Sequence, residues 1–360
     1  MKALVLSGGI GTRLRPLSYC MPKQLVPVGN KPVLFYCLEA LQAAGITDAG
    51  IIVGASGTAI HSAVGDGSRF GMRITYLPQD EPRGLAHCVA IARDFLGDDD
   101  FVMSLADNVF LSGITEPLND YRACRPDAQI IVVKVADPSQ YGVAEVDGSG
   151  RVNALEEKPS KPRSHLAVTG TYFFTSAVHE AVRNIRPSWR NEQEITDALQ
   201  WLVDRGGNVR AHVYSGYWKD TGNIADLLEC NRFVLETITP GIQGTVDPLT
   251  EISGPVVIEP GARVERSRIV GPSIIGAGST VEDSRVGPYT SVGSGCILSD
   301  AGVEDSVLLD RASIHGVDGI SESLIGRAAD IRRDRRRLAH RLVVGDDCQV
   351  EIASDRSVHE

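Results

Sequence analysis

The sequence predicts two successive parts, an α/β domain with a mostly parallel central sheet and then a parallel β-helix. Three observations predict this. Through residue 240, short apolar runs alternate with stretches of helical period, as in a sheet covered by helices. The first run ends in a glycine-rich loop, which puts a ligand site beyond the carboxyl ends of the strands. From Val256 to about Leu309, aliphatic residues recur every five or six positions with Gly, Pro, Ala and Ser between them, the period of a stacked coil.

Ala3-Leu4-Val5-Leu6, bounded by Ser7 and Gly8, reads as a buried parallel strand. Gly8, Gly9 and Gly11 follow. A loop without Cβ atoms turns sharply and presents successive N–H groups to an anion. Thr12 adds a hydroxyl, and Arg13 and Arg15 add forked cations suited to phosphate. Lys23 lies between Pro22 and Pro27. Two familiar phosphate motifs are excluded. Leu14 stands where the dinucleotide fingerprint needs its third glycine, and the Gly-Lys-Ser/Thr of the P-loop is missing.

A helix is expected over Val33–Ala44, ended by Gly45, from the spacing of Val33, Leu34, Cys37, Leu38 and Leu41. Then come a strand at Ile51–Val53, a helix near Thr58–Val64, a strand at Ile74–Leu77, a helix near Leu85–Phe95 and a strand at Phe101–Leu105. Gln79 closes one strand end, with Gly84 and Leu85 opening the helix after it. Asp107 and Asn108 close another. A carboxylate there is placed for Mg²⁺, which takes one or two carboxylates together with phosphate oxygens and water. Ile130–Val135 is a further strand, Asn191–Arg205 an amphipathic helix, and Val209–Tyr214 a strand leading to Trp218-Lys219-Asp220. In the repeat region the aliphatic positions are Ile258, Val264, Val270, Ile275, Val281, Val286 and Val292, and Val343–Ile352 reads as a closing strand.

The 360 residues allow about two domains. Apolar content of 42% with 23% charged residues is that of a globular chain with a large core. A net charge of −10 argues against binding nucleic acid or an anionic membrane, so an anion site must be a local cluster of Arg and Lys. No apolar run approaches membrane-spanning length. Seven cysteines, at 20, 37, 88, 124, 230, 296 and 348, form no CxxC pair, which favours reduced thiols in a cytoplasmic protein. Met1-Lys2 runs directly into the first strand, so no secretory leader is expected. Arg332-Arg333-Asp334-Arg335-Arg336-Arg337 reads as a solvated or interface segment.

The string GGxGTRLxPL followed by PKQLVPVxxKP resembles the sugar-1-phosphate nucleotidylyltransferases, and Lys23-Gln24-Leu25 resembles their thymidylyl branch. YGV at 141–143, EEKP at 156–159, VTG at 168–170 and WKDTG at 218–222 extend the likeness over nearly the whole chain. The resemblance implies a Rossmann-like nucleotidyltransferase domain over 1–240 and a left-handed hexapeptide-repeat β-helix over 241–360. It implies thymidylyl transfer from dTTP to glucose 1-phosphate, with Mg²⁺ as cofactor and deoxysugar assembly as destination. By the same likeness Leu6, Ser7, Gly8, Gly9, Gly11, Thr12, Arg13, Gln24, Gln79, Gly84, Leu85 and Asp107 bind the nucleotide. Lys23, Tyr141, Gly142, Glu157, Lys158, Val168 and Trp218 bind the sugar phosphate. Asp107 and Asp220 hold the metal, and Arg13, Lys23, Asp107, Lys158 and Asp220 are the catalytic set. Ala106 replaces the glycine usual before this aspartate, and its methyl is expected to tighten the pocket near the nucleoside. Three rivals are a sister enzyme preferring UTP, a bifunctional enzyme using His315 for acetyl transfer, and a sensor without turnover. A β-helix with apolar outer faces favours a homo-oligomer.

Overall fold

The computed structural model describes residues 1–334 and 341–352. The arginine run expected to be solvated therefore lies partly outside the described residues. The first part contains β1 (Lys2–Ser7), β2 (Pro27–Val28), β3 (Lys31–Pro32), α1 (Val33–Ala43), β4 (Asp48–Val53), α2 (Gly57–Val64), β5 (Arg73–Pro78), α3 (Leu85–Ile91) and α4 (Arg93–Leu96). It continues through β6 (Phe101–Leu105), β7 (Asn108–Phe110), α5 (Thr115–Cys124), β8 (Ala128–Lys134), β9 (Gly142–Val146), β10 (Val152–Glu157) and β11 (Leu166–Phe174). The last elements of this part are α6 (Val178–Asn184), α7 (Ile195–Asp204), β12 (Val209–Val213), β13 (Trp218–Asp220) and α8 (Ile224–Glu236).

Nine strands form one sheet in the order β10-β9-β11-β6-β1-β4-β5, with β8 beside β11 and β12 beside β8. The expected parallel arrangement holds across β5, β4, β1 and β6 and again between β8 and β12. Around β11 the pairings with β6, β8 and β9 are antiparallel. Alternation along β1 feeds two cores: Leu4 and Leu6 face one, Ala3 and Val5 the other. The helix expected near Leu85–Phe95 breaks between α3 and α4 at Ala92, and the one expected from Asn191 begins at Ile195. Glu194, its cap, has extended backbone, so Asn191–Gln193 stay in the preceding loop.

Two local features place site residues. Opposite Ile131, β11 carries a bulge at Thr169-Gly170, with Gly170 at φ +80°. The bulge turns the Thr169 carbonyl towards Trp218, whose Nε1 donates to it at 3.2 Å. The two-stranded ribbon of β13 and β7 pairs Asp220 with Asn108 and so brings Asp220 beside Asp107.

From Gly241 to Arg332 the chain winds a three-sided parallel coil. Strands on one side are Val256–Ile258, Ser273–Ile275, Thr290–Val292 and Val307–Leu308. Through the middle of the coil the rung is 17 residues, shown by a hydroxyl ladder in which Ser284 N donates to Ser267 Oγ and Ala301 N to Ser284 Oγ, and it shortens to 16 between Ser291 and Val307. Two sides of six residues and one of five give the mixed spacing seen in the sequence. Ile258, Val264, Ile269, Ile275, Val281, Val286 and Val292 fill the interior. At one position the expectation is corrected, because Ile269 rather than Val270 points inward.

The coil packs back on the first part. Val307 and Leu309 join a core with Val26, Val28, Leu228 and Val234. Asn231 of α8, 1% exposed, accepts from Gly29 N at 2.9 Å and Ser291 Oγ at 2.7 Å and donates to Tyr289 O at 3.2 Å. Arg232 grips Asp305 with both arms.

One further expectation is corrected. Val343–Ile352 forms no strand and is exposed, because none of its residues pairs with a neighbouring strand. Asp347 in that segment hydrogen-bonds Tyr19. The outer faces of the coil are mixed: Arg263, Arg266, Arg268, Asp283 and Arg285 project from them, and Ile242, Leu249 and Ile297 are exposed there. Among the described residues, no helix is long and apolar enough to cross a membrane. All seven cysteines are free thiols, and Cys37, Cys88, Cys230 and Cys296 are buried.

Candidate active site

The glycine loop leaves the end of β1 and folds over two side chains, Lys23 and Gln79. Gly11 has φ +71°, and a Cβ there would stand 2.9 Å from Lys23 Cβ. Any other residue would be strained and would push the lysine stem aside. Beneath the loop, Lys23 Nζ is paired with Asp107 Oδ2. Burial works against the Lys23 ammonium, but the charge and hydrogen bond of Asp107, with Asp220 adding, outweigh it and hold the pKa up. Asp107 is fixed from behind: Thr221 donates to its carbonyl from N at 3.0 Å and from Oγ1 at 2.9 Å. Asp220 faces Arg13, with Nη2 to Oδ2 at 3.9 Å, and the Arg13 side chain is otherwise open to solvent. Arg13, Lys23, Asp107 and Asp220 are therefore one cluster of two cations and two anions, drawn from four separate stretches.

Gly8 and Gly9 of the same loop approach Gln79 and Gln24, two of the residues expected to read the base. Ser7 and Gln24 are buried, and Ser7 Oγ and Gln24 Oε1 have no hydrogen-bond partner among the described residues. Gln79 follows β5, its N donating to Val53 O at 2.8 Å, and its Oε1 lies 2.6 Å from where a Cβ on Gly8 would stand. Gly84 has φ +100°, and a Cβ there would meet Gln193 N at 2.6 Å. Close approach of the 193 backbone thus requires glycine at 84 without reference to any ligand. Ala106 is fully buried in the core shared with Val5 and Leu34. The expected tightening of the nucleoside pocket is corrected: the methyl packs inward against that core.

Most of the residues expected to meet the sugar phosphate gather around Gly142 and Trp218. Tyr141 and Trp218 pack edge to face with centroids 5.7 Å apart, and Trp218 Nε1 donates to Asn108 Oδ1 at 2.7 Å. A Cβ on Gly142 would fall among Thr196, Glu157 and Val168, so these four meet at one point. Glu157 accepts from Thr196 Oγ1 at 3.2 Å and faces Arg190 at 3.7 Å. Burial, with the Glu194 charge, pushes its pKa up. Lys158 is exposed at φ +45°, its N donating to Tyr141 O at 3.0 Å.

Residues 2–237 match the nucleotidyl transferase family. The chain belongs to that family. This nucleotidyl transferase is 54% identical to the glucose-1-phosphate thymidylyltransferase of Streptomyces griseus, over 98% of this chain and 100% of the relative. Identity to the Streptomyces antibioticus protein of the same name is 55%, again over 98% and 100%. Among solved structures, a putative glucose-1-phosphate thymidylyltransferase of Bacillus anthracis in complex with a sucrose superposes with a TM-score of 0.62 at 34% identity. That match covers 67% of this chain and 97% of the other.

The residues of this nucleotidyl transferase fit a divalent cation. Asp220 Oδ1 is buried with no hydrogen-bond partner among the described residues. Among the described residues no group of three or more His, Cys, Asp or Glu is placed to hold a metal. A pair of carboxylates sharing a cation with phosphate oxygens and water suits Mg²⁺. Burial, and then the Asp107 charge, raise Asp220 to about 6 from an ordinary 3.8. Between those values the folded chain keeps a proton that the unfolded chain has lost, so stability falls as pH rises through the window. Asp220→Asn is therefore expected to raise Tm above pH 7 in metal-free buffer, the gain vanishing as pH falls below about 4. Equal gains at pH 4 and pH 8 in thermal melts would contradict this account.

Sequence reasoning missed several neighbours of the site. Glu194 and Thr196 belong to a Glu-Ile-Thr-Asp stretch read as structural, and Arg190 precedes it. Thr221 and Asn108 follow the two aspartates directly, and that adjacency was the available signal. His315, the histidine weighed for acetyl transfer, sits in the coil with its strand paired to Asp330–Arg332.

Proposed function

We propose that the chain transfers the thymidylyl group of dTTP to α-D-glucose 1-phosphate, releasing pyrophosphate and giving dTDP-glucose for deoxysugar assembly. The observation that carries this reading is the cluster of Arg13, Lys23, Asp107 and Asp220 at the glycine loop. End-to-end similarity to the two Streptomyces enzymes supports it.

The sugar phosphate is already a nucleophile, so no activating base is required. One of its oxygens attacks the α-phosphorus, the bond to the bridging oxygen of the β-phosphate breaks, and pyrophosphate departs with the electron pair. The protein contributes position and charge. Lys23, with Lys158, holds the sugar phosphate against the α-phosphate. Arg13 meets the charge that develops on the departing pyrophosphate, aided by N–H groups of the loop. Asp107 and Asp220 would hold Mg²⁺, which when bound supplies positive charge to the nucleotide phosphates. Glu157 accepts from glucosyl hydroxyls, and Gln79 reads the base.

Pyrophosphate release from dTTP, UTP, dCTP, ATP and GTP with glucose 1-phosphate tests the reading. dTTP is expected to lead, and a preference for any other of these nucleotides, UTP included, would overturn it. Arg13→Ala is expected to lower turnover by about 10²–10³, with little effect on Tm because the side chain is largely exposed. Near-normal turnover in the purified variant would remove Arg13 from the mechanism.

A further inference from the structure

We propose that His87 and Cys88 orient the Gln79 amide and so determine which nucleobases the site accepts. The inference rests on the functional reading above and extends it to two residues on α3.

Gln79 is 8% exposed, and its Nε2 lies 3.3 Å from Cys88 Sγ and 3.4 Å from His87 Nδ1. Cys88 Sγ accepts from it, and His87 Nδ1 accepts from it in the tautomer that carries the ring proton on Nε2. The Cys88 thiol points its proton at Gly84 O, 3.7 Å away, which leaves a sulfur lone pair for the amide. Burial, with Arg83 adding, holds the His87 pKa down, so the ring is neutral and one nitrogen carries a lone pair. Turned over, the amide would need the other His87 tautomer and would have to take the Cys88 thiol proton away from Gly84 O. The oxygen therefore stays on the loop side, beside Gly8, without a hydrogen-bond partner among the described residues.

An outward carbonyl oxygen recognises a ring N–H. Thymine and uracil present N3–H on the pairing edge and guanine presents N1–H. Cytosine N3 and adenine N1 present lone pairs there and are repelled. The fixed amide thus selects imide-type bases, while ring size and the buried Ser7 and Gln24 are left to choose among them. A site whose polar group is committed in one orientation rejects a mismatched edge more strongly than an apolar pocket rejects a missing methyl.

The test compares kcat/KM for dTTP and dCTP in the native enzyme, in the His87→Leu/Cys88→Ala double variant and in His87→Asn, which restores a side-chain acceptor. Equilibrium binding of both nucleotides to the same proteins is measured by calorimetry. The dTTP-to-dCTP ratio is expected to fall about tenfold in the double variant, the loss of one correctly oriented hydrogen bond. The change should lie mainly in KM for dTTP, and His87→Asn should keep most of the ratio. An unchanged ratio in a double variant that still melts cooperatively overturns the inference, and His87→Leu alone decides it should the double variant not fold. A native enzyme that binds dTTP over dCTP yet releases no pyrophosphate would sink the proposed reaction. The binding ratios of the variants would still decide the role of His87 and Cys88.

Discussion

Asp107→Asn is expected to lower turnover by about 10³ while the fold persists. The amide has the shape of the carboxylate, and the Thr221 clamp on Asp107 grips backbone, so the end of β6 stays in place. What changes is charge. The site loses one of two carboxylates available to a divalent cation, and Lys23 loses the partner that holds its ammonium under the loop. The concentration of Mg²⁺ giving half-maximal rate should rise in the same variant. Pyrophosphate release at saturating substrates measures both effects. A variant within tenfold of the native rate, or a native enzyme equally active in chelator, would take Asp107 out of its assigned role.

Lys23→Met is expected to cost about 10²–10³ in turnover, from loss of a cation that positions the incoming phosphate. Methionine keeps an unbranched stem, so packing against Gly9 and Gly11 survives and the charge is isolated as the cause. There is a second consequence. Lys23 is one of the charges that lower the Asp220 pKa against burial and the Asp107 charge. Without it the two aspartates face one another with less compensation, and the Asp220 pKa rises further. The acid limb of the pH–rate profile should therefore move to higher pH, since turnover needs ionised Asp220. An unshifted profile would show that Lys23 does not act on the carboxylate pair.

The central strands and the glycine loop were legible because their signals are local: an apolar run, a turn without Cβ atoms, a lysine between prolines. Asp107 was legible for the same reason, since strand ends collect ligands in such sheets. The antiparallel direction of β11 was not, because Leu166–Phe174 is buried on both faces and reads like any parallel strand. The cluster around Glu157 was hidden by helix capping. Glu194 and Thr196 look like the start of an amphipathic helix, and only the packing of α7 on β10 brings them beside Glu157. Asn231 was invisible in another way. A lone asparagine in an amphipathic helix reads as a polar face, and its burial arises only when the coil returns to cover it.

That return carries a consequence for the coil as a length standard. Ser291 stacks on Ile274 in the rung before it and on Val307 in the rung after. Neither neighbour carries a hydroxyl, so of the three only Ser291 can answer Asn231 Oδ1. The side chain that ties α8 to the coil thus identifies one particular turn of it. Losing or gaining a whole 17-residue turn before this point would leave every strand pairing intact and still present Asn231 with the wrong residue. The extension is thereby indexed, and Asn231 is the mark against which its turns are counted.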